Sequence, residues 1–280
     1  MAQSQVVDVG WLRNRLEQGE VAVLDVRFSP KDAAYGRNAY QKGHLPGAVF
    51  VDLKTDLQDE PSEHGGRSPL QSPERLALYF GALGIDAETT VVIYEDVNGP
   101  AAARLWWVLQ YLGIKDVYVL DGGYKAWVDA GRSVTAEQSV PEKKTFLPDV
   151  RSDQLVGVDD VRAALHRAGT TLVDSRDAEQ YLGLASPFDP IAGHIPGAVL
   201  HFWKDGLDES GRWKNAAAQA ERFVNLPKDE EIIVYCGSGI SAAPNVLTLK
   251  EAGFTKVKLY AGSWSDWISY SDNPVATGEE

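Results

Sequence analysis

The sequence predicts an α/β protein of two domains in tandem, each a mostly parallel sheet flanked by helices. Three observations predict it. The 280 residues exceed one ordinary domain and suit two of about 130–150 residues, each able to bury a core. Short β-branched runs alternate with helical segments, the pattern of parallel strands joined by crossover helices. Most tellingly, the motifs of the first half return in the same order in the second, and an internal repeat constrains architecture more than local propensity does.

Taken in chain order, Val23-Leu24-Asp25-Val26-Arg27 recurs as Leu172-Val173-Asp174-Ser175-Arg176. Gly43-His44-Leu45-Pro46-Gly47-Ala48 recurs as Gly193-His194-Ile195-Pro196-Gly197-Ala198, and the strand Val91-Val92-Ile93-Tyr94 as Ile232-Ile233-Val234-Tyr235. Apolar-periodic helices follow over Ala102 to Leu112 and Ala243 to Ala252, with Gly113 and Gly253 as their C-terminal capping glycines. Gly113 to Trp127 and Gly253 to Trp267 then both span 14 positions. The stretch Arg132 to Ser152 is rich in Ser, Pro, Glu and Lys and lacks periodicity. The expected division is a first domain over 1–135, a linker over 136–152 and a second domain over 153–280.

The offset between the halves is 150 at the histidines (44 to 194) but 141 at the tyrosines (94 to 235). About nine extra residues therefore fall in the first copy, within Lys54 to Pro73, where Glu60-Pro61-Ser62-Glu63-His64-Gly65-Gly66-Arg67-Ser68-Pro69 is polar and glycine-rich. Such an insertion is either an active-site loop or a surface excursion.

Composition excludes several classes. With 27 basic against 40 acidic residues the formal charge is −13, which disfavours nucleic acid and anionic membranes as partners and steers anions away at long range. A single cysteine forms no internal disulfide. Met1 to Asp8 has no basic region followed by an apolar run, and no stretch approaches the ~20 apolar residues that span a bilayer. The expected location is the cytoplasm.

The one cysteine, Cys236, stands where the strand Ile232 to Tyr235 runs into Gly237-Ser238-Gly239-Ile240-Ser241, ahead of a helix. Strand, tight loop and helix N-terminus aim backbone N–H groups at one point, a concavity that binds anions and favours thiolate over thiol. Gly237 and Gly239 permit backbone conformations and close approaches that side chains forbid. Ser238 and Ser241 add hydroxyls, Ser241 is placed to cap the helix, and Pro244 suits its first turn. The competing reading is a buried structural thiol.

The repeat supplies a control. After Val91 to Tyr94 the first copy has Glu95, in an acidic loop, Glu95-Asp96-Val97-Asn98-Gly99-Pro100, expected to hold no anion. His44 and His194 occur in both copies, including the one without a thiol, and read as packing or turn residues. The Asp25/Arg27 and Asp174/Arg176 pairs read as structural ion pairs, and Trp127 and Trp267 as core. His64, His166 and His201 are unrepeated and show no metal-ligand spacing, so no metal and no cofactor is expected.

Together these motifs resemble the tandem-domain sulfurtransferases of the rhodanese type, over almost the whole chain. The resemblance implies two rhodanese-like domains, the first catalytically silent and closing the cleft. It also implies a ping-pong reaction in which Cys236 takes sulfur from a small anionic donor as a persulfide. The acceptor would be cyanide, a small thiol or a protein thiol such as thioredoxin. Family members that prefer thiosulfate tend to carry two basic residues after the cysteine, whereas Cys236-Gly237-Ser238-Gly239-Ile240-Ser241 is similar to the loop of 3-mercaptopyruvate enzymes. That donor is the first expectation and thiosulfate the second. The chain departs from the family pattern where substrate-gripping arginines are usual, having Gln180, Leu182 and Phe188 there. It has Ser68, preceded by Arg67, where a histidine is common, Lys54 for an aspartate, and Ala261 for another. Arg67, His64 and Gln180 are the candidate rim contributors.

Two other readings stand beside it. A cysteine phosphatase or arsenate reductase needs an arginine where this loop has Ala242. A persulfide carrier or sensor would load sulfur on Cys236 with little turnover.

Overall fold

Val91-Val92-Ile93-Tyr94 is apolar at every position, as expected of a parallel strand covered on both faces. In the computed structural model, which describes residues 4–279, all four are buried inside a five-stranded parallel sheet. Met1 to Gln3, part of the N-terminal reading, lie outside the described residues. The chain forms two units. The first comprises the residues up to Gln58, Gln71–Arg151 and Leu207–Trp213; the second comprises Asp59–Leu70, Ser152–Gly206 and the residues from Lys214 onward.

The first unit runs β1 (Val6–Val7), α1 (Val9–Gln18), β2 (Ala22–Asp25), α2 (Tyr35–Lys42), β3 (Val49–Phe50), α3 (Pro73–Ala82), β4 (Val91–Tyr94), α4 (Pro100–Tyr111), β5 (Val117–Leu120) and α5 (Gly123–Asp129). Its sheet order is β1-β5-β4-β2-β3. Val91 pairs with Ala22 on one side and Val117 on the other, which centres β4. Val92 and Tyr94 face a core with Leu12, Tyr40 and Trp127. Alternation along the strand turns Val91 and Ile93 to the other face.

The second unit repeats the plan with β6 (Leu155–Val156), α6 (Val158–Ala164), β7 (Thr170–Asp174), α7 (Ala178–Tyr181), β8 (Val199–Leu200), α8 (Ala216–Arg222), β9 (Glu231–Tyr235), α9 (Ala243–Glu251), β10 (Val257–Tyr260) and α10 (Ser263–Trp267). Its order is β6-β10-β9-β7-β8, all parallel, with β9 in the central place of β4. Ile233 and Tyr235 face a core with Val161, Trp264 and Trp267.

The repeated motifs fold into the same device twice. Arg27 Nη2 donates to Asp25 at 2.7 Å and to the Gly43 carbonyl at 2.7 Å; Arg176 Nη2 donates to Asp174 at 2.6 Å and to the Gly193 carbonyl at 2.7 Å. The carboxylates are fully buried, so each pair locks the end of β2 or β7 to the turn that follows. His44 stacks on Tyr40 with centroids 3.7 Å apart, and His194 on Tyr181 at 3.8 Å. Both histidines bond through Nδ1 to the carbonyl of that tyrosine at 2.7 Å.

The division differs from three contiguous blocks. Residues 136–151 belong to the first unit, where Lys144 N–H donates to the Gly81 carbonyl, Asp149 N–H to that of Leu112, and Phe146 is buried. Low periodicity made this stretch look like a linker, yet its main chain is satisfied by the unit it follows. The insertion over Asp59–Leu70 belongs to the second unit and Leu207–Trp213 to the first. There Asn98 donates to the Gly211 carbonyl and Trp213 N–H to Asp121.

Candidate active site

Cys236 follows β9 directly, and the residue is 1% exposed. The Gly239 N–H points at Sγ, with nitrogen 3.1 Å from sulfur. Gly239 has φ +81°, and a Cβ there would lie 2.2 Å from the Ala261 carbonyl oxygen, so only glycine allows this approach. The loop is sewn to the start of α10: Trp264 N–H donates to the Cys236 carbonyl at 2.9 Å and Ser265 N–H to that of Gly237 at 3.0 Å. Gly237 is buried, while Ser238, Ile240 and Ser241 are half-buried.

Ser263 was not among the residues read from the sequence. Its hydroxyl accepts the Cys236 N–H at 3.1 Å, donates to the Tyr260 carbonyl at 2.8 Å and lies 4.0 Å from Sγ. With φ 56° it is the only non-glycine residue at positive φ among the described residues. Gly123 adopts φ 56° at the same place in the first copy, so the Gly123 to Ser263 exchange was the available signal. A left-handed serine costs of order 1–3 kcal/mol. Here it places a hydroxyl beside the thiol.

The cap expected from Ser241 is not formed. Ala242 occupies the N-cap with φ −78° and ψ −31° and gives no side-chain bond, because the chain is already helical one residue past the serine. Pro244 does lie in the first turn.

The insertion brings Arg67 to the loop. Gly66 takes φ +79° where a Cβ would meet the Gly262 carbonyl oxygen at 2.4 Å. Gly65 N–H donates to Asp266 at 2.7 Å, and Arg67 N–H to the Ser265 hydroxyl at 3.1 Å. Arg67 Nη2 lies 2.5 Å from the point where a Cβ on Gly237 would sit, and Nη1 is bonded to Asp189 Oδ1. The Arg67 Cζ lies 5.7 Å from the Phe188 ring centroid. Burial pushes the Asp189 carboxyl above its ordinary range, opposed by the charges of Arg67 and Arg176.

Asp189 was also missed. Tyr40 precedes His44 by four positions whereas Tyr181 precedes His194 by thirteen, so the second copy has its own insertion, which carries Phe188 and Asp189. The other rim candidates have different partners. His64 Nδ1 bonds the Ser269 hydroxyl at 2.8 Å and its ring stacks on Tyr270 at 3.9 Å. Asp177 caps α7, accepting the Gln180 N–H at 2.9 Å and Gln180 Nε2 at 2.6 Å.

In the first copy Glu95 occupies the place of Cys236. The frame is the same: Tyr124 N–H donates to the Glu95 carbonyl at 2.7 Å and Lys125 N–H to that of Asp96 at 2.9 Å. The side chain turns into the loop, and Oε1 accepts the Ala102 N–H at 2.9 Å in the first turn of α4. Gly99 and Ala101 amides also favour its charged form, but burial dominates and raises its pKa to about 8. At neutral pH the carboxyl is therefore mostly protonated, and no external ligand is needed to fill this loop. Its own carboxyl fills the helix N-terminus.

Two α/β units, each with a parallel sheet, and a thiol directly after β9 that is met by the Gly239 N–H, define a tandem rhodanese-fold protein. The rhodanese-like domain family matches residues 8–130 and again 157–270, and the chain belongs to that family. It is 40% identical to a Pseudomonas aeruginosa protein named a probable 3-mercaptopyruvate sulfurtransferase, over 100% of both chains. It is 30% identical to the thiosulfate sulfurtransferase of Azotobacter vinelandii, over 96% of each. The structure matches that of SseA from Escherichia coli, described as having the rhodanese fold of 3-mercaptopyruvate sulfotransferases, with a TM-score of 0.82 and 29% identity over 94% of this chain and 100% of that one.

Proposed function

We propose that this chain is a sulfurtransferase that moves a sulfane sulfur from 3-mercaptopyruvate to a thiophilic acceptor through a persulfide on Cys236. The observation that carries it is the Gly239 N–H aimed at Sγ in the copy that has a thiol, in a loop without charged side chains. The Cys236 thiolate attacks the donor sulfur and the carbon–sulfur bond breaks. The electron pair leaves on the pyruvate enolate, which takes up the proton from the donor thiol. The acceptor, cyanide, a small thiol or a protein thiol such as thioredoxin, then attacks the outer sulfur and returns the thiolate.

The donor choice rests on charge. Gly237 to Ser241 bring no cation, and Arg67 stands alongside Gly237 as a single fork suited to one carboxylate. Thiosulfate, a dianion, is the second reading, supported by the name of the Azotobacter relative. The first half is catalytically silent, with Glu95 for the thiol, and the second is catalytic. Among the described residues no helix is long and apolar enough to cross a membrane, and the cytoplasm is the proposed location.

Purified protein assayed with both donors and cyanide tests the reading. Cys236→Ser should abolish sulfur loading seen by intact mass. Retained transfer in that variant would overturn the mechanism, a higher kcat/KM for thiosulfate would reverse the donor, and stable loading without turnover would make the chain a carrier.

A further inference from the structure

Arg67 reaches the Cys236 loop already paired. Its Nη2 crowds Gly237 while Nη1 bonds Asp189, whose Oδ2 lies 3.9 Å from the same would-be Cβ on Gly237. A donor carboxylate arriving over the loop meets a cation that is held by a resident carboxylate. We infer that Asp189 is a built-in competitor of the donor: it holds Arg67 in the resting site, and a bound α-keto carboxylate displaces it from the guanidinium. The inference deepens the sulfur-transfer reading and rests on it.

The two partners differ in freedom. The Arg67 side chain is 34% exposed and the Asp189 side chain 7%, so the arginine is the member that can turn. Asp189 keeps a second compensating charge in Arg176, which also favours its ionised form and is itself fixed by Asp174 and the Gly193 carbonyl. This second positive charge lowers the cost of moving Arg67 from Asp189 to a donor. The exchange also selects. Asp189 takes one bond from the fork, whereas a donor carboxylate in line with it can take two, and the loop offers no other charged side chain from Gly237 to Ser241. Asp189 acts only through Arg67 and is thus a positioning residue.

The test uses the full chain and pyruvate, which carries the donor's keto acid without its sulfur. Alkylation of Cys236 by iodoacetamide, a neutral reagent, is followed by intact mass as pyruvate is raised. Asp189→Asn should lower the pyruvate needed for half-protection about tenfold, and lower KM for 3-mercaptopyruvate by a similar factor. Arg67→Gln should raise both about tenfold or more, and the double variant should match Arg67→Gln, since the competitor has lost what it competes for. Arg67→Lys, which keeps the charge but not the fork, gives a second reading that does not depend on Asp189→Asn folding, and should require more pyruvate than the unchanged protein. Asp189→Asn that leaves protection unchanged or weakens it, or Arg67→Lys that protects as the unchanged protein does, overturns the inference. Failure of the sulfur-transfer reading looks different: the unchanged protein then gains no sulfur from the donor, whatever pyruvate does to alkylation.

Discussion

Replacing Glu95 by Gln should remove a pH-dependent cost from the first unit. The carboxyl is buried, and burial raises its pKa from 4.5 to about 8 although the amides of Ala102, Ala101 and Gly99 pull the other way. A folded pKa above the unfolded value means that the native state keeps a proton the unfolded chain has released. The stability is therefore fully present below 4.5 and is lost as pH climbs through about 8. The whole shift corresponds to about 5 kcal/mol, of which about 3 is already lost at pH 7. Glutamine keeps an oxygen for the Ala102 N–H and cannot titrate; its extra N–H donor costs about 1 kcal/mol if unpaired. The variant should then gain about 2 kcal/mol at pH 7 and more at pH 9. Because two units need not unfold together, the measurement is hydrogen exchange in peptides of α4, corrected for intrinsic exchange, between pH 5 and 9. Protection in the unchanged protein should fall by up to about 1.4 kcal/mol per pH unit relative to Glu95→Gln. Parallel curves for the two proteins would refute the reasoning.

Other outcomes follow from the loop and the repeated ion pairs. Gly239→Ala drives a Cβ to 2.2 Å from the Ala261 carbonyl oxygen at φ +81° and should cut persulfide loading about 100-fold, read by intact mass after donor addition; undiminished loading would remove the role given to that N–H. Ser263→Gly should be more stable than Ser263→Ala in urea melts of the second unit, because both leave the Cys236 N–H unpaired at about 1–3 kcal/mol but only glycine relieves φ 56°; the reverse order would contradict this. Arg27→Met and Arg176→Met should each destabilise their own unit by about 3–5 kcal/mol by stranding a buried aspartate, and an Arg176→Met protein of full stability with lost turnover would show the pair to be chemical rather than structural.

What could be read from sequence was whatever the chain repeats. Continuous apolar runs placed β4 and β9, and the Asp-x-Arg pairs were recognised as structural because the copy without a thiol has one too. Two insertions stayed hidden because they nearly cancel. Arg27 precedes Tyr40 by 13 positions and Arg176 precedes Tyr181 by five, yet Tyr181 then lies thirteen before His194 where Tyr40 lies four before His44. Offsets taken at the arginines and the histidines are thus almost equal, and the segment carrying Asp189 disappears between them. Ser241 failed as a cap for a different reason: residue type fixes what can cap a helix, but where the backbone enters the helical region is decided by the loop, and it does so at Ala242.

The two copies also explain each other's chemistry. Both present a strand end, a loop tied by two main-chain bonds to the following helix start, and helix amides that need an acceptor. The first copy supplies one permanently, since the Glu95 carboxyl carbon is the third atom from Cα and its oxygen reaches the Ala102 N–H. Cysteine ends at the second atom, two short of the Glu95 oxygen, and its sulfur is met by the Gly239 N–H. Glu95 therefore fills the helix N-terminus of the first copy with its own carboxyl, whereas the shorter side chain of Cys236 leaves the Gly239 N–H as the donor that meets its sulfur.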